Sequence, residues 1–372
     1  MSKRRIVFVV TQNCQLRCNY CYLVGKNDNG VMTWETAKQI VDLVMSLPVV
    51  DDEAIFDFIG GEPLLEIELI SDTCDYLVNK MRQTNHPWIH KFSLRITTNG
   101  LSYSTPIVQR FINKYKDRLS IQLSIDGTKR KHDLNRVFAN GCGSYDKMLP
   151  NVQLWIKQFQ EKAMSFTVVS HNDLPFFSES IIHNIELGIK NISVTLVVED
   201  VWESGDEIIF EKELIKVADY IIDKKLWTTV SISSFDKELG LKEEEEHIYP
   251  CGNPMYVFDA HGDIYSCVRF INYSLREKEA RKIGSLQKGI DYNKLRPLLA
   301  FDRISFYSDK CQKCEIGIGC RWCPAENYDS SKTGTIFQRT VTICQLHKAN
   351  VRVKNYFWNK INYLESNGRQ KT

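Results

Sequence analysis

The chain has 372 residues with 48 basic and 46 acidic side chains, and a formal net charge of +2 gives no bulk attraction to nucleic acid or to an anionic membrane. Its 43% hydrophobic content is enough for a full core, and the length predicts two domains. The apolar run 6–10 is too short for a secretory signal, and no run approaches a membrane span. We therefore expect a cytoplasmic protein whose 12 cysteines are ligands rather than disulfides.

Strand-like and helix-like segments alternate along the first part of the chain. The predicted strands are residues 6–10, 54–59, 92–98, 119–125, 165–169 and 192–198, and the predicted helices are 33–47, 64–81, 106–115, 145–159, 176–187 and 207–224. Because parallel neighbours need a crossover that is normally helical, this order predicts a parallel sheet. Six units are too few for a closed eight-stranded barrel. We predict an α/β fold with a partial (β/α)6 TIM-type barrel and ligands at the carboxyl ends of its strands.

Three cysteines follow the first predicted strand with C-x3-C-x2-C spacing, namely Cys14, Cys18 and Cys21. Three thiolates leave one iron of a four-iron cluster open to another ligand. A zinc site usually pairs its cysteines as C-x2-C twice, so this spacing favours a cluster over zinc. Three coincidental buried cysteines are the plain alternative.

The order of strand, cysteine loop and the aromatic Tyr22 resembles the radical S-adenosylmethionine (radical SAM) enzymes. The resemblance implies a catalytic [4Fe–4S] cluster on the three cysteines, with SAM on its open iron. The family's GGEP-like motif binds the SAM amino group, and Gly60, Gly61 and Glu62 take that place after the second strand. The other residues that the resemblance assigns to SAM are Tyr20, Thr98, Asn99, Ser124, Asp126 and Arg136.

Two of those assignments are specific, and each has an ordinary alternative. Ser124 would reach the SAM ribose, and Arg136 would pair with the SAM carboxylate, a task suited to a planar guanidinium. The glycine and serine segments could instead be turns, and Arg136 could belong to an unrelated ion pair. His132 and His171 are expected to be ordinary polar residues rather than ligands.

The composition changes after a predicted linker at residues 235–250. Seven of the 12 cysteines follow it, and a small metal-stapled domain would explain this density. A predicted β-hairpin at residues 255–268 would bring Cys251 and Cys267 to one end. The spacing of these two cysteines and of Cys311, Cys314, Cys320, Cys323 and Cys344 resembles the SPASM domain of radical SAM peptide maturases. A zinc ribbon is the alternative for the four cysteines from 311 to 323 taken alone.

The SPASM resemblance implies two auxiliary [4Fe–4S] clusters, and so three clusters in all. Cys311, Cys314, Cys320 and Cys344 would hold the distal one, and Cys251, Cys267 and Cys323 the proximal one. Only two residues separate Cys320 from Cys323, one fewer than is usual, which weakens the assignment of Cys323. Cys74 and Cys142 are expected to be structural thiols.

The predicted division is residues 1–234 for the barrel, 235–250 for the linker, 251–345 for SPASM and 346–372 for a C-terminal helix and tail. Because the first barrel strand begins near residue 5, we expect the leader of a peptide substrate to bind to the barrel itself or to a separate partner protein.

The whole pattern resembles maturases that install thioether crosslinks in ribosomal Cys-rich peptides. We therefore expect a precursor peptide with a leader as substrate, and flavodoxin or ferredoxin as reductant. With three protein ligands, the proximal cluster could take a substrate thiolate; a fourth ligand such as Cys142, a histidine or water is the alternative.

Three other functions stay open. A sulfatase-maturating enzyme would form formylglycine, but Val268 stands where that family is described as having an acidic base, and residues 239–250 lack its extra cysteine. A carbon–carbon crosslinking maturase is the second. An iron–sulfur carrier is the third, although it has no use for the SAM residues.

Overall fold

The computed structural model describes residues 2–24, 30–199, 201–239, 255–275, 278–300, 308–314, 316, 320 and 323–369. Cys251, most of the predicted linker and the last residues of the predicted tail lie outside the described residues.

The first part of the chain alternates parallel strands with helices. The strands are β1 (Lys3–Thr11), β2 (Glu53–Gly60), β3 (Phe92–Thr98), β4 (Leu119–Ser124), β5 (Met164–Val169), β6 (Asn191–Leu196) and the short β7 (Ser231–Ile232). The helices are α1 (Trp34–Ser46), α2 (Ile67–Gln83), α3 (Pro106–Tyr115), α4 (Lys129–Asn135), α5 (Tyr145–Phe159), α6 (Phe177–Glu186) and α7 (Asp206–Asp223). Each strand pairs in parallel with the next, so the carboxyl ends of β1 to β6 share one edge.

Sequence patterns explain why these elements form. In α1, Thr33 caps the amino end by accepting a hydrogen bond from Thr36 N at 3.1 Å, and the apolar positions of one helix face are buried. Strand β1 is buried on both faces from Ile6 onward, as expected of a parallel strand covered on both sides. In the core, Trp155 of α5 donates from Nε1 to Ile121 O of β4 at 3.0 Å.

The second part of the chain extends the same sheet from the other edge of β1. Its strands are β8 (Met255–Phe258), β9 (Asp263–Tyr265), β10 (Lys282–Ser285) and β11 (Gly289–Ile290), and its helices are α8 (Tyr292–Leu299), α9 (Asp309–Gln312), α10 (Pro324–Ser330) and α11 (Cys344–Arg369). Strand β8 pairs in parallel with β1, with Phe8 opposite Phe258, and the described sheet runs from β11 to β7 without closing.

The long helix α11 fastens the second part to the barrel. Tyr356 donates to Asp219 Oδ1 of α7 at 2.7 Å, and Phe357 stacks on Phe235 with ring centroids 4.5 Å apart. No helix in the described ranges is long and apolar enough to cross a membrane.

The predicted fold class is confirmed: the sheet is an open, partial barrel followed by a Cys-rich region with a hairpin and a helix. The hairpin of β8 and β9 turns at Gly262, whose φ of +79° suits glycine. Seven short elements were not predicted, namely α4, α8, α9, α10, β7, β10 and β11. They have few residues in which a hydrophobic period could show.

Candidate functional site

The first cysteine loop lies directly after β1, with Cys14, Cys18 and Cys21 all half-buried. Two N–H groups point at the Cys14 sulfur: Leu16 N at 3.4 Å and Asn99 Nδ2 at 3.8 Å. Such donors stabilise a thiolate. Cys14 therefore has surroundings that suit an anionic sulfur ligand, and the cluster on Cys14, Cys18 and Cys21 stays a prediction.

Glu62 ties the end of β2 to the end of β3. Its carboxylate is fully buried and accepts hydrogen bonds from Thr98 Oγ1 at 2.6 Å, Asn99 N at 2.7 Å and Leu64 N at 3.0 Å. Burial raises the pKa of Glu62, although these hydrogen bonds and the Arg136 charge oppose the rise. A carboxylate has about four acceptor positions, so one remains for a further donor such as an ammonium group.

Gly60 and Gly61 allow the cysteine loop to lie against β2. Gly61 N donates to Thr11 O and Glu62 N donates to Asn13 O, both at 2.8 Å. A Cβ on Gly61 would lie within 3.0 Å of the Gln12 and Asn13 carbonyl oxygens. The two glycines therefore set the position of Cys14 relative to Glu62.

Asp126 is a fully buried carboxylate that joins the cysteine loop to the barrel. Its Oδ2 accepts from Tyr20 OH and from Arg136 Nε, the latter at 3.0 Å, and its Oδ1 accepts from Val168 N at 3.0 Å. Burial works to raise the pKa of Asp126, but Arg136 and Lys131 outweigh it and lower the pKa to about 2. Arg136 is thus held in an ion pair within the protein, which is the alternative that its sequence context left open, although its partner Asp126 was not foreseen. Ser124 is half-buried at the end of β4.

Both histidines make ordinary polar contacts. His132 is fully buried, with Nδ1 facing Asp126 N at 3.4 Å and Nε2 facing Ser144 Oγ at 3.0 Å. Burial lowers its pKa to about 3, so the ring is neutral and joins α4 to the start of α5. His171 Nδ1 lies 2.8 Å from Asp206 Oδ2.

Two of the four cysteines assigned to the distal cluster contact one arginine. Arg339 donates from Nη1 to Cys311 Sγ at 3.1 Å and from Nη2 to Cys320 Sγ. Cys344 lines the same cavity of about 210 Å³ as Cys320. Cys314 lies one turn after Cys311, with its N–H 3.2 Å from Cys311 O. Cys311, Cys320 and Cys344 therefore lie in one region, and thiols are the donor type that a [4Fe–4S] cluster needs. The cluster on these three cysteines and Cys314 stays a prediction.

Cys267 and Cys323 are the described cysteines assigned to the proximal cluster. Each stands directly before a short element, and these two elements pack together. Cys267 leads into a turn at residues 268–270, and Cys323 leads into α10, where Tyr328 meets Phe270 at a ring distance of 5.7 Å. Burial raises the pKa of the Cys323 thiol, and the nearby Glu326 and Cys267 add to the rise. Cys251, their predicted partner, lies outside the described residues.

The cysteine loop of the barrel touches the second part of the chain. Val24 N donates to Tyr273 O at 2.7 Å, and the Arg269 guanidinium lies 5.9 Å from the centre of the Tyr22 ring. Arg269 also pairs with Glu199. The first cysteine loop and the turn that follows Cys267 are therefore neighbours.

Four residues of this region were missed as candidates: Glu199, Arg269, Glu326 and Arg339. Glu199 and Glu326 both raise the pKa of Arg269, against the effect of burial. Arg269 and Glu326 stand two and three residues after a predicted ligand, a nearness that could have drawn attention to them. Glu199 and Arg339 carry no local signal, because only the fold brings them to the cysteines.

Cys74 and Cys142 differ in their surroundings. Cys74 is fully buried in the core on α2. Cys142 is exposed, in a loop where Phe138 bridges to Leu16 of the first cysteine loop. The structure thus places Cys142 on the side of the first cysteine loop.

Comparison with known proteins relates this geometry to a family. Residues 8–173 match the model of the radical SAM superfamily. A cysteine-type anaerobic sulfatase-maturating enzyme of Clostridium perfringens is 24% identical over 350 residues, which cover 86% of this chain and 89% of that protein.

Two solved structures share the fold. Native anSMEcpe with bound AdoMet and Kp18Cys peptide has a TM-score of 0.74 at 21% identity, covering 97% of this chain and 99% of that one. SuiB of Streptococcus suis bound to precursor peptide SuiA has a TM-score of 0.61 at 16% identity, covering 92% of this chain and 76% of that one.

We predict that Gly61→Ala displaces the cysteine loop, because the new Cβ meets the carbonyl oxygens of Gln12 and Asn13. The variant should lose about one-third of its iron and most SAM cleavage. The control is Gly205→Ala, which strains the backbone at φ +103° but meets no atom within 4 Å, so it separates a general loss of stability from displacement of the cysteine loop. Iron analysis and 5′-deoxyadenosine formation measure the outcome, and normal values for Gly61→Ala would contradict the role given to this glycine.

A second prediction concerns acid stability. Because the folded pKa of His132 is about 3, the unfolded chain binds a proton at this residue from about pH 6.5 downward while the folded chain does not. Its contribution to the free energy of unfolding is therefore present above about pH 6.5 and falls by up to about 1.4 kcal/mol per pH unit below it.

Denaturant unfolding at pH 4 to 7 under anaerobic conditions compares the wild type with His132→Gln. The variant should lose less stability on acidification than the wild type. Equal slopes for wild type and His132→Gln would show that His132 is not held neutral.

Proposed function

Because residues 8–173 form a radical SAM domain, we propose that this radical SAM enzyme oxidatively modifies a cysteine-containing peptide, and that the modification is a thioether crosslink. The observation that carries the proposal is the hydrogen bond from Val24 N to Tyr273 O. It joins the loop of the SAM-type cysteines to the turn after Cys267. A peptide bound beside this junction would meet both sets of cysteines.

Residues of this chain bind SAM and shield the reacting carbon from water. When bound, the cluster and SAM supply a 5′-deoxyadenosyl radical that abstracts hydrogen from the substrate. Glu62 keeps an acceptor position for the SAM ammonium, and Arg136, fixed by Asp126, offers its remaining N–H groups to the SAM carboxylate. The half-closed barrel and the second part of the chain exclude water from the reacting carbon.

The peptide would bind near Arg269, Glu199 and Glu326. The Arg269–Glu199 pair is largely buried, so its charges are weakly screened and can orient the amide groups of a peptide. The solved relatives support a peptide substrate, since anSMEcpe was solved with the Kp18Cys peptide and SuiB with precursor peptide SuiA. The proposal includes a precursor peptide with a leader, a flavodoxin or ferredoxin reductant, three clusters and a cytoplasmic location.

Formylglycine formation is the second candidate, favoured by the fold shared with anSMEcpe over nearly the whole chain. Val268 stands where the sulfatase-maturating family is described as having an acidic base, which counts against this reaction. Glu326 lines the cavity beside Cys323, however, and Glu199 pairs with Arg269 one residue from Val268. A carboxylate from another element could therefore take the place of that base.

The two reactions leave different products. A thioether retains the cysteine sulfur and removes two hydrogens, whereas formylglycine loses the sulfur. The anaerobic enzyme is incubated with SAM, a reductant and cysteine-containing peptides, including candidates encoded by neighbouring reading frames, and products are fragmented by mass spectrometry. Peptides with Ser in place of Cys are the control. A crosslink at carbon with the thiol unchanged would reject both reactions.

We further predict that changing Cys14, Cys18 and Cys21 together to Ala removes about one-third of about twelve irons and abolishes 5′-deoxyadenosine formation. Cys142→Ser, a change at an exposed thiol beside the same loop, should leave both values unchanged. Cleavage of SAM by the triple variant would refute the radical SAM assignment of these cysteines.

A further inference from the structure

Arg339 is anchored in a short segment between α10 and α11. Thr340 N donates to Asn327 Oδ1 at 2.9 Å, and Asn327 Nδ2 donates to Ile336 O at 2.8 Å. Asn327 is fully buried, so these bonds fix the backbone on both sides of Arg339. The guanidinium therefore reaches the sulfur atoms from a rigid base.

The two sulfur contacts of Arg339 use different nitrogens of the guanidinium. Nη1 donates to Cys311 Sγ at 3.1 Å, and Nη2 donates to Cys320 Sγ. A guanidinium presents its donors in a fixed plane and keeps its charge at all ordinary pH values. One side chain thus brings a full positive charge and two N–H donors to two of the four predicted distal ligands.

Three other arginines of the second part contact carboxylates or aromatic rings. Arg269 pairs with Glu199, and Arg281 lies about 6 Å from the ring centres of Phe270 and Tyr328. Arg352 of α11 forms an exposed pair with Glu211. Arg339 is distinguished by its contacts with cysteine sulfur.

We propose that Arg339 is a positioning residue that hydrogen-bonds two thiolate ligands of the distal auxiliary cluster and makes that cluster easier to reduce. The inference rests on the proposed function, because it takes the distal ligand set as given. Reduction adds one electron, and therefore one negative charge, to the cluster and its thiolates. The fixed positive charge and the N–H···S bonds stabilise that added charge, and hydrogen bonds to sulfur are among the factors that set such potentials.

The test uses the full chain, reconstituted anaerobically, with Arg339→Gln and Arg339→Lys. Dithionite titration followed by electron paramagnetic resonance gives the midpoint potential of each cluster. Arg339→Gln removes the charge, and we expect the reduction equilibrium of the distal cluster to weaken at least about tenfold, which corresponds to a midpoint lower by about 59 mV. Arg339→Lys keeps the charge but loses the planar fork, so its shift should be smaller.

The matched control is Arg352→Gln, which removes the same charge from the helix that begins at Cys344. It should leave the distal midpoint unchanged. Resonance Raman spectra give a second readout: the Fe–S stretching bands should shift between H₂O and D₂O in the wild type and less so in Arg339→Gln.

An unchanged midpoint in Arg339→Gln with full iron content would overturn the inference. If both Arg339 variants lose distal iron, Arg339 retains the cluster rather than tuning it, and the inference also fails. The proposed function has a separate check, because Cys311→Ala with Cys320→Ala should lower the iron content. Unchanged iron in that double variant would remove the distal cluster itself.

Discussion

The first cysteine loop depends on one buried carboxylate. Asp126 holds the loop through Tyr20, the end of α4 through Arg136 and β5 through Val168 N. The Val168 carbonyl is in turn bound by the buried Lys131 Nζ at 2.6 Å. Removal of one partner from a buried ion pair typically lowers the free energy of unfolding by about 3–5 kcal/mol, because the remaining charge is buried without a partner or solvent. The same bonds that stabilise the barrel therefore set the geometry of the predicted SAM site.

The parallel fold was predictable because its strands and helices are long enough to show their periods. The bounds of β3, α3 and α5 agree with the prediction, since each is delimited by polar or turn-forming residues. Glu62, Thr98 and Asn99 were named separately from two motifs, and the structure joins them by hydrogen bonds. Their proximity follows from the parallel topology, in which successive strands end at one edge.

Other parts of the site could not be predicted, because they depend on contacts between distant segments. Arg269 meets Glu199 across 70 positions of sequence, and Arg339 reaches Cys311 across 28. A lone arginine or glutamate has no periodic pattern, and its charge alone usually indicates a solvated surface. The same limit applies to the catalytic base of the formylglycine reaction. Val268 occupies the position where the motif would carry that base, but in the fold a carboxylate on another element can supply it.

The pairing of β8 with β1 also affects how the chain is made. During synthesis, β1 leaves the ribosome about 250 residues before its partner Met255–Phe258, and at ~5–20 residues per second this takes about 12–50 s. Through that time one backbone edge of a strand that contains the apolar run 6–10 has no partner, and such an edge can pair with another chain. Completion of the sheet therefore waits for the second part of the chain, so the nascent protein depends on protection of that edge until both parts have emerged.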